Sequence, residues 1–348
     1  MSELKTTTTA LPEASDWQRA ERYTSPKVKM RNWLTFLRIH TSNLTQVGAI
    51  LGPMLAGVRN VPLLIIYLLW GLCYHAWGFT DNNIQDYAYD KEDPAKQHFA
   101  LVKGAIPIDK ARKVNHAFFV PTLLIGLWLG YNNPASLAFL GLSITAGMLY
   151  NRTCKKSLFA PLYITAAFTS IPLFTYFSQA SVWNLPIIVV AIYTIFLMLF
   201  QIAFEGYLKD LQSDPVNLLR KWGATVKDGK LDLGKQGVLW SLVKFGNILV
   251  GMCYFFLIGT VESTTFLLYG LLCVGIAIAY TLLVQKEYNN KRVTSNAARM
   301  EILTYFALIV ALETVFGWTI TVILLVYPIL WFACLNKLTW KTILRPKV

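Results

Sequence analysis

The sequence predicts an all-α fold, a polytopic bundle of transmembrane helices, and three observations support this prediction. Of the 348 residues, 55% are hydrophobic and only 15% are charged, whereas about a quarter of a soluble domain is charged. The apolar residues form long uninterrupted blocks, which is typical of membrane spans. Basic residues collect between these blocks. We therefore interpret the net charge of +13 as a sign of membrane topology, and we expect no nucleic acid partner.

Ten apolar blocks are candidate membrane spans, and the last two are separated only by the segment "VFGWT". Alternatively, the last two blocks are one longer helix that is broken at this segment. In chain order the predicted spans are Trp33–Val58, Pro62–Asp81, Asn115–Tyr131, Ser136–Tyr150, Phe159–Ser178, Leu185–Tyr207, Gly237–Thr260, Thr264–Gln285, Ile302–Phe316 and Trp318–Leu335.

The segments that connect the spans alternate between long, charged loops and short loops with almost no charge. The charged loops follow the even-numbered spans, and both chain ends are basic as well. The positive-inside rule therefore predicts that both termini and the long loops are cytoplasmic. Residues 1–31 are a predicted polar, basic tail without the apolar segment of a signal peptide, and residues 32–348 are a predicted single transmembrane domain. The five Cys residues include no C-x-x-C spacing and predict no disulfide framework.

An acidic segment, "DNNIQDYAYDKED" (81–93), directly follows the second span. Asn82, Asp86 and Asp90 are four residues apart, so they share one face if the helix of the span continues through the segment. Like charges at this spacing destabilise a helix, and a bound cation would offset the repulsion. Oxygen ligands suit Mg²⁺, and Asn83 adds a neutral oxygen. We therefore predict a magnesium site here.

A second acidic segment, "EGYLKDLQSD" (205–214), ends the sixth span and repeats the spacing with Asp210 and Asp214. One such pair is more often a solvated helix end. Two pairs that follow spans of the same direction, in a chain with only 19 acidic residues, favour a functional site instead. Facing carboxylates can hold two or more Mg²⁺ ions against one diphosphate, which would orient and neutralise a leaving group.

The two acidic segments resemble the paired motifs of the UbiA superfamily of intramembrane prenyltransferases. "NNIQDYAYD" is similar to the first motif, N-(D/N)-x-x-D-x-x-x-D, and "YLKDLQSD" to the second, K-D-x-x-x-D. "LYNRTCKK" (149–156) resembles the basic loop after the fourth helix of that family, and "LRIHTSN" (37–43) its first-helix entry. The resemblance runs from about Arg31 to the end of the chain. It implies nine core helices, here with a tenth, around a central cavity open to the cytoplasmic side.

This resemblance also implies a function. We expect an Mg²⁺-dependent transfer of a prenyl group from a prenyl diphosphate to a lipophilic acceptor, aromatic or isoprenoid, within the lipid bilayer. The implied ligands of the metal ions and the diphosphate are Asn82, Asn83, Asp86 and Asp90 for one ion and Asp210 and Asp214 for the other. The implied phosphate contacts are Lys155, Lys156, Lys209 and Arg152, with Tyr150 facing the allylic carbon and Asn43 orienting a substrate.

Some of these assignments have alternatives in the sequence. Arg152 and Lys156 also fit a simple topology signal, Tyr150 an interfacial anchor, and Asn43 a hydrogen bond between helices. The chain also departs from the family pattern. Where the family often has Arg-Pro after the first motif, this chain has "KQHFALVKG", in which Lys96, His98 and Lys103 are possible replacements. Gly206-Tyr207 stands for a common Asn-Asp, and Ser213 for a common Gly.

Two rival functions remain open at this point. A terpene cyclase of the same superfamily would use the same diphosphate site without an acceptor. A transporter would also suit paired acidic clusters, but transporters place their sites near the middle of the bilayer, and these acids lie at span ends. The prenyl chain length, the acceptor and the oligomeric state do not follow from the sequence.

Overall fold

The computed structural model describes residues 25–212, 214, 216–259 and 261–340, without the side chains of Ala95, Thr339 and Trp340. Most of the predicted tail, and Ser213, therefore lie outside the described residues. Helix α1 (Pro26–Phe36) begins within the predicted tail, with Ser25 as its N-cap and Pro26 at its first position. The boundary between tail and domain at residue 31 stays a prediction.

The described part of the chain is all-α apart from one short hairpin, as the sequence predicts. Within it, six helices are long and apolar enough to cross a membrane. The helices after α1 are α2 (Asn43–Leu55), α3 (Val61–Gln85), α4 (Tyr87–Glu92), α5 (Ile108–Gly130), α6 (Pro134–Thr153), α7 (Ala160–Phe177), α8 (Leu185–Phe200), α9 (Leu218–Lys221), α10 (Gln236–Ile258), α11 (Ser263–Leu283), α12 (Asn290–Ala311) and α13 (Glu313–Trp340). The prediction of nine core helices and a tenth stays a prediction.

The first predicted span, Trp33–Val58, is not one helix, so that prediction is wrong. Helix α1 ends at Phe36, and a 3₁₀ turn over Ile39–Thr41 precedes α2. Between them Arg38 has a left-handed backbone with φ 49°, which a residue with a Cβ adopts only at a steric cost. This residue ends the α-helical hydrogen bonding and turns the chain.

Helix α2 lies at the centre of the packing. It contacts α3, α7 and α13, while α7 also contacts α6 and α8, and α8 contacts α10. A Cβ on Gly52 would collide with the backbone of α7 at Pro172 and Tyr176, so only glycine allows this close approach. Helix α13 is fixed to α2 because Asn43 Nδ2 donates to the carbonyl oxygen of Pro328 at 3.0 Å.

The last two predicted spans are divided by a backbone break at the predicted place, within "VFGWT". Helix α12 starts at Asn290, earlier than the predicted Ile302, and ends at Ala311, and α13 follows with an internal break at Gly317 (φ 72°, ψ 161°). Glycine tolerates that positive φ without a side-chain clash. The interruption at Leu312 (φ −86°, ψ 3°) is milder, so the main break lies at Gly317.

The long segment after α8 contains a hairpin that we did not predict. Strand β1 (Thr225–Lys227) pairs antiparallel with β2 (Lys230–Asp232). Asp228 and Gly229 link them with φ values of 50° and 71°, which is the geometry of a type I′ turn. The Asp-Gly pair between two short alternating segments was the sequence signal for this hairpin.

Candidate active site

The first acidic motif keeps the helical spacing predicted for it. Although α3 ends at Gln85 and α4 begins at Tyr87, the backbone N–H groups of Asp86 and Asp90 donate to carbonyls four residues earlier, each at 2.9 Å. Asn82, Asp86 and Asp90 therefore follow one another at successive turns. The helix continues through the motif with only a bend at Asp86.

The side chains of this motif point to different partners. Asn83 faces α1, where its Nδ2 donates to the Phe36 carbonyl at 2.9 Å and its Oδ1 accepts from the Arg38 guanidinium at 3.0 Å. Asp90 is buried and its Oδ1 lies 2.7 Å from Lys96 Nζ. Lys96, one of the possible replacements for the family's Arg-Pro, thus contacts the first motif directly.

Cys154 connects the remaining two side chains of the first motif. Its thiol donates to Asp86 Oδ1 at 3.5 Å and accepts from Asn82 Nδ2 at 3.9 Å. Burial, together with the charge of Asp86, raises the pKa of Cys154 to about 12. The thiol is therefore neutral near pH 7 and acts as a hydrogen-bond donor, with no nucleophilic thiolate.

The second acidic motif lies at the far end of α8. There the chain passes through a π-helical turn, Gln201–Gly206, and a last α-helical turn, Tyr207–Lys209. The N–H of Asp214 donates to the carbonyl of Asp210 at 3.0 Å, so the predicted spacing is present here as well. Asn217 holds this segment, because its Nδ2 donates to the Tyr207 carbonyl at 2.8 Å.

Lys155 joins the two motifs. Its Nζ lies 2.7 Å from Asp214 Oδ1, with only 15% and 16% of the two side chains exposed. Burial lowers the pKa of Lys155, but the hydrogen bond to Asp214 and the charges of Asp86 and Asp210 outweigh it and raise the pKa overall. Because Cys154 and Lys155 are neighbours in sequence, one segment contacts the first motif through Cys154 and the second through Lys155.

Lysine charges act on the carboxyl groups of both motifs. Burial raises the pKa of Asp86, against the opposing charge of Lys155, and it raises the pKa of Asp210, against the charge of Lys209. The charge of Lys96 acts on both carboxyl groups. The structure therefore brings Asp86, Asp90, Asp210 and Asp214 into one region that is shared by lysines.

Two tyrosine hydroxyl groups belong to this region. Tyr150, on the last turn of α6, interacts electrostatically with Asp86, Cys154 and Tyr207. Tyr207, one of the residues that replace the family's Asn-Asp, interacts in turn with Asp214. Both side chains are therefore close enough to the acidic motifs for their charges to interact, and the prediction that Tyr150 faces the allylic carbon stays a prediction.

Of the other predicted phosphate contacts, Arg152 and Lys156 lie outside these contacts, whereas Lys209 pairs with the second motif. Arg152 is exposed on α6, and Lys156 is exposed beside a cavity of about 420 Å³ whose lining includes Arg220 and Lys221. Lys209 Nζ is 3.7 Å from Asp210 Oδ2.

Three more predictions concern positions further from the motifs. Lys103 is half-buried and close enough to Arg31 for their charges to interact; burial and that charge lower its pKa. His98 is exposed and packs edge-on against Phe99. Asn43 forms the interhelical hydrogen bond to α13 described above, which is the alternative that the sequence left open.

Sequence reasoning missed three residues of the site. Arg38 contacts Asn83 and lies 5.1 Å above the ring of Phe79. Tyr288 donates its hydroxyl to the carbonyls of Leu208 (2.9 Å) and Lys209 (3.1 Å), in the helical turn directly before Asp210. Cys154 is the third. Arg38 and Cys154 lie inside the quoted segments "LRIHTSN" and "LYNRTCKK", so the signal was there, whereas no local pattern places Tyr288 near the motifs.

The fold and the site together define an integral membrane protein with two acidic helix ends in one polar region. A model of the UbiA prenyltransferase family matches residues 47–302, which is more than half of the chain. The chain therefore belongs to the UbiA prenyltransferase family, and it is an intramembrane transferase of prenyl groups. A comparison with curated proteins found no significant match.

Three solved structures share this fold, each with 16% sequence identity. A digeranylgeranylglyceryl phosphate synthase superposes with a TM-score of 0.60 over 83% of this chain and 99% of that chain. A UbiA homologue from Aeropyrum pernix K1 gives 0.56 over 78% and 96%. A UbiA homologue from Archaeoglobus fulgidus, bound to GPP and Mg²⁺, gives 0.55 over 80% and 99%. At this identity the likeness concerns the fold.

Proposed function

We propose that this protein transfers a prenyl group from an allylic prenyl diphosphate to a lipophilic acceptor, aromatic or isoprenoid, and releases diphosphate in an Mg²⁺-dependent reaction. One observation carries this proposal: Cys154 and Lys155 link the two acidic motifs at one place. The fold neighbour from Archaeoglobus fulgidus, whose structure holds GPP and Mg²⁺, is consistent with such a donor.

The donor groups fit magnesium. Among the residues that the structure describes, no three His, Cys, Asp or Glu side chains form a ready-made metal centre. Mg²⁺ usually takes only one or two carboxylates and completes its shell with substrate phosphates and waters, so two separate carboxylate pairs suit it. When bound, Mg²⁺ would neutralise the charge of the leaving diphosphate. We assign Asn82, Asn83, Asp86 and Asp90 to one ion and Asp210 and Asp214 to the other.

The cationic side chains bind the diphosphate in this proposal. Lys155 exchanges its bond to Asp214 for a phosphate oxygen, and Lys96 does the same from Asp90. Arg38 offers a planar guanidinium beside the first motif, which suits paired phosphate contacts. Lys209, Lys156 and Arg152 are further phosphate contacts within the same segments. Charged hydrogen bonds of this kind hold the reacting diphosphate in a fixed orientation.

The aromatic side chains act on the prenyl group. As the bond between carbon and diphosphate oxygen breaks, positive charge develops on the allylic carbon. The faces of Tyr150 and Tyr207 stabilise a cation by about 0.5–2 kcal/mol each. The acceptor attacks this carbon and loses a proton, while the buried surroundings exclude water that would otherwise hydrolyse the cation. Both motifs and both termini face the cytoplasm in this proposal.

A reconstitution assay tests the proposed function. Purified protein in lipid nanodiscs receives Mg²⁺, GPP or a longer prenyl diphosphate and a panel of aromatic and isoprenoid acceptors, and diphosphate release is measured. We expect release that stops with EDTA, and a loss of at least about 100-fold in Asp86→Ala and Asp210→Ala. Asp109→Ala, an exposed aspartate on α5, is the matched control. Unchanged turnover in both motif variants would contradict the proposal.

The products of the same assay separate transfer from cyclisation. A transferase gives a prenylated acceptor and little turnover without it. A cyclase gives a hydrocarbon or terpene alcohol in the absence of any acceptor. The second result would exclude the acceptor part of the proposal and keep the diphosphate site.

A further inference from the structure

Two buried ionisable side chains and a third, partly buried one meet where the segment after α8 packs against α10 and α12. Glu205 on the π-helical turn is 4% exposed, and Lys244 on α10 is 0% exposed. Glu301 on α12 faces Glu205, and both carboxyl groups interact electrostatically with Lys244. Ionisable groups at such depth are costly and are kept in membrane proteins mainly where they have a function.

Lys244 is held firmly in this cluster. Its Nζ donates to Thr304 Oγ1 at 2.6 Å and lies 5.1 Å from the centre of the Phe200 ring. Thr304 Oγ1 donates in turn to the carbonyl of Met300 at 2.7 Å. Tyr193 on α8 donates to the Thr304 carbonyl at 2.7 Å. The ammonium group therefore connects all three helices at one level.

The carboxyl groups require a proton. Both oxygens of Glu205 are buried, and among the described residues no donor group reaches them. Glu301 lies within hydrogen-bonding range, but two ionised carboxylates only accept hydrogen bonds and repel each other. One proton between them supplies the missing donor. It also leaves one negative charge to balance Lys244, so the buried cluster is neutral.

The position of Glu205 gives this cluster a consequence for the site. It lies in the π-helical turn Gln201–Gly206, directly before Tyr207–Lys209 and Asp210. A π-helical turn contains one residue more than an α-helical turn. Conversion of this turn to a regular helix would rotate everything after it by about 100°. The side chain of Asp210 would then no longer point toward Lys155 and the first motif.

We propose that Glu205, Glu301 and Lys244 form a neutral triad with one proton shared by the two carboxyl groups, and that this triad fixes the π-helical turn and so the direction of the second acidic motif. The three residues are positioning residues and do not touch the substrate. The positioning of the second acidic motif rests on the proposed function, whereas the shared proton does not.

Infrared spectroscopy tests the proton. The carbonyl stretch of a protonated carboxyl group is separated from that of a carboxylate, and difference spectra between wild type and variant isolate single residues. We expect both Glu205→Gln and Glu301→Gln to lose this band, because the shared proton requires both carboxyl groups. The control is Glu313→Gln, a buried glutamate on α13 that accepts from Thr265 Oγ1 at 2.9 Å. A band that remains unchanged in both single variants would overturn the triad.

Kinetics test the positioning. We expect Glu205→Leu and Lys244→Met to raise the Mg²⁺ concentration for half-maximal diphosphate release about tenfold or more. Glu301→Gln should stay near the wild-type value, because its amide still donates to Glu205. Thermal unfolding of the same samples identifies variants that fail to fold. If Glu205→Leu or Lys244→Met does not fold, the Mg²⁺ dependence of Glu301→Gln and the infrared spectra test the proposal instead. Folded Glu205→Leu and Lys244→Met proteins with a wild-type Mg²⁺ dependence would overturn the positioning role.

The two parts fail in distinguishable ways. A wild-type protein that releases no diphosphate from any donor contradicts the proposed function, while its infrared spectrum still reports the shared proton. Active wild-type protein without the carboxyl band contradicts the triad alone.

Discussion

The first and second acidic motifs have the same spacing of carboxylates but are held by different kinds of contacts. In the first motif the backbone of Asp86 and Asp90 continues the hydrogen bonding of α3 with bonds of 2.9 Å. Asp86 is then oriented by a neutral donor, the Cys154 thiol. The first motif is thus an extension of one regular helix.

The second motif is assembled from several segments. Helix α8 leaves the α-helical form before the motif, and Asp210 itself has φ −103° and ψ 25°, outside the helical region. Asn217 and Tyr288 come from two different loops and bind carbonyls of the last helical turn, Tyr207–Lys209. Lys155 comes from a third segment and pairs with Asp214.

This difference teaches which motif depends on distant residues. A regular helix needs only its own hydrogen bonds to present the side chains of every fourth residue. A chain end that has left the helix needs partners from elsewhere to satisfy its carbonyls. We therefore expect the second motif to depend on more residues outside it than the first.

The largest effect is expected for Lys155→Met, since Lys155 binds Asp214 in the second motif and its charge also acts on Asp86 in the first. Loss of the shared cation leaves Asp214 unpaired and removes a phosphate contact, so kcat/KM for the prenyl diphosphate should fall about 100-fold. Lys113→Met, an exposed lysine on α5, is the control. A loss equal to that of the control would show that the two motifs do not share this residue.

Acid should weaken metal binding at a higher pH than for exposed aspartates. Burial raises the pKa of Asp86 and Asp210, so protons compete with Mg²⁺ above the ordinary aspartate value of about 3.9. As pH falls through the raised values, the Mg²⁺ concentration for half-maximal rate should rise by up to about tenfold per pH unit. Measurement at several pH values tests this, and a flat dependence down to pH of about 4 would contradict it.

Cys154 should matter to the first motif only. Cys154→Ala removes the donor to Asp86, and we expect the Mg²⁺ concentration for half-maximal rate to rise roughly three- to tenfold. Cys154→Ser keeps a donor, and its free energy of Mg²⁺ binding should differ from that of the wild type by less than about 1 kcal/mol. Cys253→Ala, at an exposed cysteine, controls for general effects of cysteine replacement. Equal kinetics of the Ala and Ser variants would contradict the role of the thiol hydrogen bond.

Tyr288 should matter to the second motif only. Tyr288→Phe leaves the carbonyls of Leu208 and Lys209 without their donor, at a cost of about 0.5–1.5 kcal/mol in the free energy of unfolding. Because the second motif directly follows these two residues in the chain, we also expect the Mg²⁺ concentration for half-maximal rate to rise a few-fold. The exposed Tyr131→Phe is the control. A change in stability without any change in the Mg²⁺ dependence would separate Tyr288 from the site.

Much of the fold could be predicted from the sequence because membrane spans are long and uniformly apolar. The predicted helical bundle is confirmed, and most spans agree with helices within a few residues. The break at Arg38 could not be predicted, since the left-handed backbone depends on the packing around it. The early start of α12 at Asn290 was missed because its first turns are polar, and polar residues were assigned to a loop.

The carboxylates of the site could be predicted because their spacing is local. Asp86, Asp90, Asp210 and Asp214 follow from two short segments and come together in the structure. Arg38 and Tyr288 could not, because their contacts are between residues far apart in the sequence. The proposed role of Glu205 depends on a π-helical turn, and no pattern in the sequence predicts that turn.

The central claim is that both motifs hold one diphosphate, and a double-mutant cycle tests it most directly. Mg²⁺-dependent binding of a thiolodiphosphate analogue of GPP, which does not ionise readily, is measured by calorimetry for wild type, Asp86→Asn, Asp210→Asn and the double variant. If both carboxylates act on one ligand, the double variant should bind no more weakly than the weaker single variant. Losses of binding free energy that add in full would show that the two carboxylates are not coupled through one ligand and would contradict the account.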